Sequence, residues 1–183
     1  MATTYDFIER LEFSKATRLE TDTATIQEML PGAMSVTIAD EQQDRNGTDY
    51  IATLRGGAQV NIDLKCRDIG CSRFWKNGPE LALEDWSVVA ENGKRGKVGW
   101  TLDESKETDL VFFAFDPSDC MDCYLVSFQL LRVAFRRNHK DWLRQYWDAP
   151  QQSDGWKSHC IFVPVDVVLD AIRAVSKGRQ VNV

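Results

Sequence analysis

Apolar residues recur with two different periods along the chain, and these periods predict a mixture of helices and strands. Helical spacing runs from Thr3 to about Leu30, from Phe128 to Tyr146 and from Val165 to Ser176. We expect one domain of residues 1–183, because no repeat or linker divides the sequence, with a mixed α/β (α+β) fold in which helices flank a central mixed sheet. A loop and a short helix are predicted for residues 68–85. Strands are predicted at residues 34–38, 49–54, 59–66, 98–102, 110–115, 123–126 and 161–163.

The clearest feature is a predicted hairpin whose strands, residues 49–54 and 59–66, flank a glycine-rich turn. Even-numbered positions of both strands are apolar, whereas the odd-numbered positions of the second strand are polar, so one face should be buried. A loop centred on Gly56, with glycine at positive φ, puts all the apolar residues on one face and pairs Asp49 with Asp63. A two-residue glycine turn would mix the faces, and burial therefore favours the first register.

In this register Asp49, Asp63 and Lys65 gather on the polar face. Two opposed carboxylates on neighbouring strands repel each other unless a cation lies between them. Oxygen ligands with room for water favour Mg²⁺ or Mn²⁺, and the backbone carbonyl of Leu64 is a further candidate ligand. The Lys65 ammonium is expected to orient an attacking water or to stabilise negative charge that develops at phosphorus. The alternative is that both acids are ordinary polar residues on a solvated sheet face.

Asp49, a glycine-containing hairpin and Asp63-Leu64-Lys65 together resemble the PD-(D/E)XK nuclease superfamily. The resemblance implies a restriction-endonuclease-like fold, in which Asp49 and Asp63 bind the metal and Lys65 is catalytic. It implies an enzyme, an endonuclease that hydrolyses DNA phosphodiester bonds through a magnesium-activated water. Thr48 directly precedes Asp49, at the position where the family motif has proline. The family often adds a glutamate from the preceding helix, and the candidates here are Glu9, Glu20 and Glu28.

A second acid-x-lysine triplet, Glu104-Ser105-Lys106, lies in a polar stretch without apolar alternation, and we interpret it as a solvated turn. The helix from Phe128 carries a basic stripe opposite its apolar positions. These residues predict either contact with a nucleic-acid backbone or a solvated helix face. The candidate nucleic-acid-binding residues are Arg67, next to the hairpin motif, and the stripe Arg132, Arg136, Arg137, Lys140 and Arg144.

The bulk composition narrows the function classes. A net charge of −6 disfavours a protein that coats nucleic-acid phosphates generally, but a metal-dependent nuclease needs acids and only local phosphate contacts. Five scattered cysteines, an odd number, argue against a disulfide framework and for a reducing compartment. We expect a cytoplasmic protein without a membrane partner, because the sequence has no secretory signal and no apolar run of about 18 residues.

Two alternatives to the nuclease stay open. One is a non-catalytic, phage-type interaction or inhibitor protein on the same fold, which the acidic pI of about 5.0 suits. The other is a small zinc-stabilised adaptor, in which Cys120 and Cys123 have zinc-compatible spacing and His159-Cys160 completes the set. The two histidines give little support to a histidine-based catalytic site, and His139, among basic residues, is expected at the surface. The sequence favours DNA as partner without excluding RNA, and a homodimer is compatible with it.

Overall fold

The computed structural model describes residues 20–67, 70–76, 78–89, 95–115, 122–153 and 156–179. The described helices are α1 (Glu20–Met29), α2 (Glu41–Arg45), α3 (Phe128–Gln145) and α4 (Val165–Arg179). The described strands are β1 (Ala33–Ile38), β2 (Tyr50–Leu54), β3 (Gln59–Cys66), β4 (Glu80–Val89), β5 (Arg95–Val98), β6 (Leu110–Ala114), β7 (Tyr124–Ser127), β8 (Asp148–Ser153) and β9 (Trp156–Pro164). The mixed α+β class is therefore confirmed. In this part of the chain no helix is both long enough and apolar enough to cross a membrane.

The described residues divide into two compact units. One unit, here the hairpin unit, comprises the described residues among 20–74 and 105–129. The other, here the histidine unit, comprises those among 75–104 and 130–179. The expectation of a single domain over residues 1–183 stays a prediction.

The hairpin unit contains a five-stranded sheet in the order β1-β2-β3-β6-β7. It is a mixed sheet, because β3 and β6 run parallel while the other neighbours are antiparallel. The even-numbered face of the hairpin forms its core: Tyr50, Ala52 and Ile62 are fully buried, and they cluster with Ile26 of α1 and Phe112 of β6. The predicted division into an apolar and a polar face is thus confirmed.

The register of the hairpin is the one that burial predicts. Tyr50 pairs with Ile62 and Ala52 with Val60, and the Leu54 amide donates to the Ala58 carbonyl at 2.8 Å across a three-residue loop. Gly56 and Gly57 in this loop have φ angles of 96° and 87°, a region that residues with a Cβ rarely adopt. The glycines therefore permit the loop that keeps all the apolar residues on one side.

The histidine unit contains a second, antiparallel sheet in the order β5-β4-β9-β8. The sequence analysis predicted a short helix within residues 68–85, which is wrong: only residues 71–74 form a 3-10 turn, and residues 80–89 form β4. Leu81 and Leu83 are buried, whereas Ala82 and Glu84 are half-buried, and this alternation is the pattern of a strand. Strand β8 was not predicted, β9 is longer than predicted, and β5 ends at Val98, before most of the predicted strand 98–102.

Candidate functional site

Asp49 and Asp63 lie next to each other on the polar side of the hairpin, and both are buried. The two residues are 6% and 4% exposed, and the neighbouring Asp63 carboxyl group is one of the causes, after burial, that raise the pKa of Asp49. The alternative that they are polar residues on a solvated sheet face is therefore wrong. Buried carboxylates are rare unless they are paired with a cation or hydrogen-bonded, so this pair needs a physical explanation.

The end of strand β2 determines the position of Asp49. The ladder with β3 ends where Tyr50 pairs with Ile62, and the next β3 amide that would face β2 belongs to Leu64. Asp49 Oδ2 accepts this amide hydrogen at 2.6 Å, so a side-chain oxygen replaces the main-chain acceptor that a longer β2 would supply. The Asp49 amide donates to the Ile62 carbonyl at 2.8 Å. These bonds hold the carboxylate at the edge of β3, beside the side chain of Asp63.

Lys65 supplies the positive charge of the cluster. Its Nζ lies 2.6 Å from Asp63 Oδ2 and 3.3 Å from the Leu64 carbonyl oxygen. Its side chain is 26% exposed, whereas that of Asp63 is 5% exposed. Lys65 is therefore more accessible to solvent than the acid with which it pairs. The Lys65 ammonium thus contacts two of the three predicted metal-ligand groups, the Asp63 carboxylate and the Leu64 carbonyl.

The electrostatics of the cluster make the Asp49 carboxyl group harder to ionise than an ordinary aspartate. Burial, and then the neighbouring Asp63 charge, raise the pKa of Asp49 from its usual 3.8 to about 6. The Lys65 charge and the Leu64 amide act in the opposite direction but do not cancel this rise. At neutral pH two carboxylates and one ammonium therefore share a poorly solvated site, which has a negative charge in excess. A divalent cation would offset that excess.

No family model matches this sequence, and no curated protein or solved structure matches it either. The function of the acid cluster must therefore be inferred from its geometry. Within the described ranges no three His, Cys, Asp or Glu side chains are grouped as a metal site. The predicted ligand set is of a different kind, because it combines two carboxylates, Asp49 and Asp63, with the main-chain carbonyl of Leu64.

A helix glutamate is not found beside the acid cluster in the part of the chain that the structure describes. Glu9 and the side chain of Glu20 lie outside the described residues. Glu28 is exposed, and it belongs to α1, whose Ile26 packs on the apolar face of the hairpin. The acids lie on the opposite face, so Glu28 does not complete the cluster.

The second acid-x-lysine triplet does not form a second site. Glu104 and Ser105 are exposed, as predicted for a turn, but Lys106 is half-buried over Gly47. Gly47 has a φ of 88°, and a Cβ there would collide with the Lys106 side chain. Thr108 also holds this loop, because its hydroxyl donates to the Gly47 carbonyl at 2.6 Å. Residues 105–108 therefore support the segment that leads into Asp49.

The predicted basic residues differ in the contacts that they already make within the chain. Arg67 belongs to the hairpin unit, is half-buried, and its amide donates to the Ala114 carbonyl. The stripe lies in the histidine unit: Arg132 donates to the Asp103 carbonyl at 3.0 Å, and Arg136 pairs with Glu104, which lowers the pKa of that glutamate.

Along the rest of the stripe, Arg144 pairs with Asp141 at 2.9 Å. Arg137 and Lys140 are exposed, while Leu131 and Phe135 on the other side of α3 are fully buried. The amphipathic arrangement of this helix is therefore confirmed. Its role in nucleic-acid binding stays a prediction, for which Arg137 and Lys140 offer the most accessible charges of the stripe.

His139, which was expected at the surface, is half-buried and has a carboxylate partner. Its side chain is 24% exposed, and Nε2 lies 3.1 Å from Oδ2 of Asp85, which is buried. His159 contacts the other oxygen of the same carboxylate. The sequence signal was limited to Leu81-x-Leu83-x-Asp85, in which alternation predicts a strand with a buried aspartate but not the histidines that contact it. The erroneous helix prediction for residues 68–85 concealed it.

The structure also gives the positions of the β4 glutamates and of two residues of the zinc alternative. Glu80 and Glu84 lie on β4; Glu80 is buried, and Glu84 accepts a hydrogen bond from Ser87 at 2.7 Å. In the zinc set, Cys120 lies outside the described residues, and Cys123 Sγ is 3.5 Å from a methionine sulfur. His159 has carboxylates at both ring nitrogens.

Proposed function

We propose that this chain is a metal-dependent nuclease of the PD-(D/E)XK type, with Asp49 and Asp63 as metal ligands and Lys65 as catalytic residue. The observation that carries the proposal is the convergence of two buried carboxylates and one ammonium at the end of a hairpin. A solvated sheet face would give neither the burial nor the raised pKa of Asp49. Such perturbed acids are typical of functional sites.

The donor set suits Mg²⁺ or Mn²⁺. All the candidate ligand atoms are oxygens, and hard divalent cations prefer carboxylate and carbonyl oxygens over nitrogen or sulfur. The Lys65 ammonium touches both Asp63 and the Leu64 carbonyl, which indicates that a positive charge is accommodated there. When bound, the ion would polarise a phosphoryl oxygen and lower the pKa of a water ligand.

The residues of the chain have separate roles in this proposal. Asp49 and Asp63 would hold the ion with the Leu64 carbonyl. Lys65 keeps an ammonium on the same face, where it can donate hydrogen bonds to a phosphate oxygen that gains negative charge. Arg67 and the exposed Arg137 and Lys140 are the proposed contacts to the DNA backbone, since phosphate contacts position a nucleic acid without reading its sequence.

The test is cleavage of linear duplex DNA, single-stranded DNA and RNA by the purified chain in Mg²⁺, in Mn²⁺ and in EDTA. We expect cleavage only with a divalent cation, and a loss of at least about 100-fold in Asp63→Asn and Lys65→Ala. Glu41→Gln is the matched control, because Glu41 is an exposed acid of the same unit that pairs with Arg45. Full activity in Asp63→Asn, or no metal-dependent cleavage by the unaltered chain, would contradict the proposal.

The second candidate is a non-catalytic interaction protein, and one observation favours it. Asp49 already accepts the Leu64 amide, and Lys65 already pairs with Asp63, so each acid has a structural partner without a metal. Calorimetric titration separates the two candidates. The nuclease should bind Mn²⁺ with measurable heat that Asp63→Asn removes, whereas the interaction protein should give no heat and no cleavage.

A further inference from the structure

A second cluster of ionisable groups lies in the histidine unit and takes no part in the proposed nuclease site. At its centre is Asp85 of β4, which is 2% exposed. Its Oδ1 lies 2.5 Å from Nδ1 of His159 on β9, and its Oδ2 lies 3.1 Å from Nε2 of His139 on α3. The other nitrogen of His159, Nε2, lies 3.0 Å from Oδ2 of Asp148 on β8. Four elements thus meet through one chain of polar contacts.

A β-bulge directs Asp85 into this cluster. Glu84 pairs with Cys160 and Trp86 pairs with His159, so Asp85 is the extra residue of β4. Bulges bend a strand locally and redirect a side chain. Gly99 supports the bulge: its amide donates to the Asp85 carbonyl at 2.8 Å, and a Cβ at this position would collide with the Glu84 carbonyl. The position of the carboxylate is therefore built into the sheet.

The geometry of these contacts favours a doubly protonated His159. A neutral imidazole has one N–H, whereas both nitrogens of His159 face carboxylate oxygens. Only the imidazolium can donate to both acids, and in the neutral form one lone pair would face a carboxylate. Burial alone would lower the pKa of His159, but the hydrogen bonds and charges of Asp85 and Asp148 outweigh it and raise the pKa above its usual 6.5.

Several charged groups on the elements around the cluster have partners other than His159. On α3, Arg136 pairs with Glu104, Arg132 donates to the Asp103 carbonyl, and Arg144 pairs with Asp141. On β4, Glu84 accepts hydrogen bonds from Ser87 and from the Trp100 amide. The ionisable groups that face His159 on the described elements are therefore Asp85 from β4 and Asp148 from β8, with His139 of α3 on the far side of Asp85.

A metal ion does not suit this arrangement. The two nitrogens of an imidazole point in different directions, and those of His159 are directed at two separate carboxylates. His139 approaches Asp85 through the opposite oxygen. The four groups therefore form a linear chain of hydrogen bonds rather than a ring of donors around a common centre.

We propose that the Asp148–His159–Asp85–His139 chain is a pH-sensitive clasp, which joins β8 and α3 to the central strands β4 and β9 while His159 is doubly protonated. Loss of the His159 proton removes one donated hydrogen bond and leaves two carboxylates with less positive charge between them. Because the folded state holds this proton more tightly than the unfolded chain, the stabilisation is fully present below about pH 6.5 and is lost as the pH rises through the raised pKa.

The test is a pH titration of the full chain by nitrogen-15 NMR of the histidine rings, with Asp148→Asn as the informative variant. Asp148 is exposed, so this change should leave the fold intact while it removes one acceptor of His159. We expect a proton on both nitrogens of His159 at about pH 6.5, and a lower pKa of His159 in Asp148→Asn. Asp141→Asn is the matched control, since it removes an exposed acid of α3 that pairs with Arg144.

The unfolding midpoint in urea gives a second measurement. Between about pH 6.5 and 8.5 the midpoint of the unaltered chain and of Asp141→Asn should fall, and it should fall less in Asp148→Asn. A His159 ring with a single proton at about pH 6.5, or a pKa that is the same in all three proteins, would overturn the proposal. Nuclease activity does not enter either measurement, so the clasp and the proposed function can fail independently.

Discussion

Replacing Asp49 by asparagine tests whether an ionised Asp49 destabilises the chain when no cation is bound. The amide oxygen of asparagine can still accept the Leu64 amide hydrogen, and its NH₂ group can donate to Asp63. The substitution therefore keeps the hydrogen bond at 2.6 Å and removes one of two buried negative charges. If the charge of Asp49 did not destabilise the folded chain, this substitution would not increase its stability.

The magnitude follows from the raised pKa. A change of one in pKa corresponds to about 1.4 kcal/mol between the two protonation states, and the pKa of Asp49 rises from 3.8 to about 6. The folded state thus binds the proton more tightly, so the stability from protonated Asp49 is full below about pH 4 and is lost as the pH rises through 6. At pH 8 the charged form costs about 3 kcal/mol, which Asp49→Asn should recover.

The assay is urea unfolding of both proteins in EDTA, at about pH 8 and about pH 4.5. We expect Asp49→Asn to be the more stable by about 3 kcal/mol at the higher pH and by only about 1 kcal/mol at the lower one. Asp141→Asn, which removes an exposed carboxylate, should change stability by less than about 0.5 kcal/mol. A variant that is less stable than the parent at pH 8, or a gap independent of pH, would refute the electrostatic argument.

Three further predictions concern other parts of the molecule. Lys65→Met should destabilise the chain by about 1–3 kcal/mol in EDTA, because the buried Asp63 loses its ion-pair partner. Thermal unfolding should show that Mn²⁺ restores more stability to this variant than to the parent. Ile26→Ala should cost about 2–5 kcal/mol in urea unfolding, because Ile26 is fully buried between α1 and the hairpin. Arg137→Gln should weaken DNA binding and reduce its salt dependence more than Arg136→Gln, whose parent residue already pairs with Glu104; equal effects in a fluorescence-anisotropy titration would contradict this.

In the hairpin unit, the buried face and the strand register could be predicted from the sequence, because both depend on local pattern. Alternation at positions 50–54 and 60–64 gave the buried face, and the need to keep that face apolar selected the three-residue loop and its register. The juxtaposition of Asp49 with Asp63 followed from the same reasoning. The burial of the two acids did not follow from the local pattern, because burial depends on parts of the chain that are distant in sequence; the neighbour of Asp63 on the parallel strand β6, for example, is Val111.

The histidine unit was less predictable for two physical reasons. Residues 80–89 carry charged side chains at several positions, so their periodicity did not separate a strand from a short helix. The convergence of His139 and His159 on Asp85 joins residues 54 and 74 positions apart. It requires the antiparallel pairing of β4 with β9, and a bulge at one residue, neither of which local sequence specifies.

The most direct test of the nuclease account is the position of manganese in a crystal of the unaltered chain soaked with Mn²⁺ at about pH 8. The account predicts one anomalous-scattering peak coordinated by carboxylate oxygens of Asp49 and Asp63 and by the Leu64 carbonyl, with Lys65 displaced from at least one of its present contacts. Manganese absent from this position, with the Lys65–Asp63 pair intact, would contradict it.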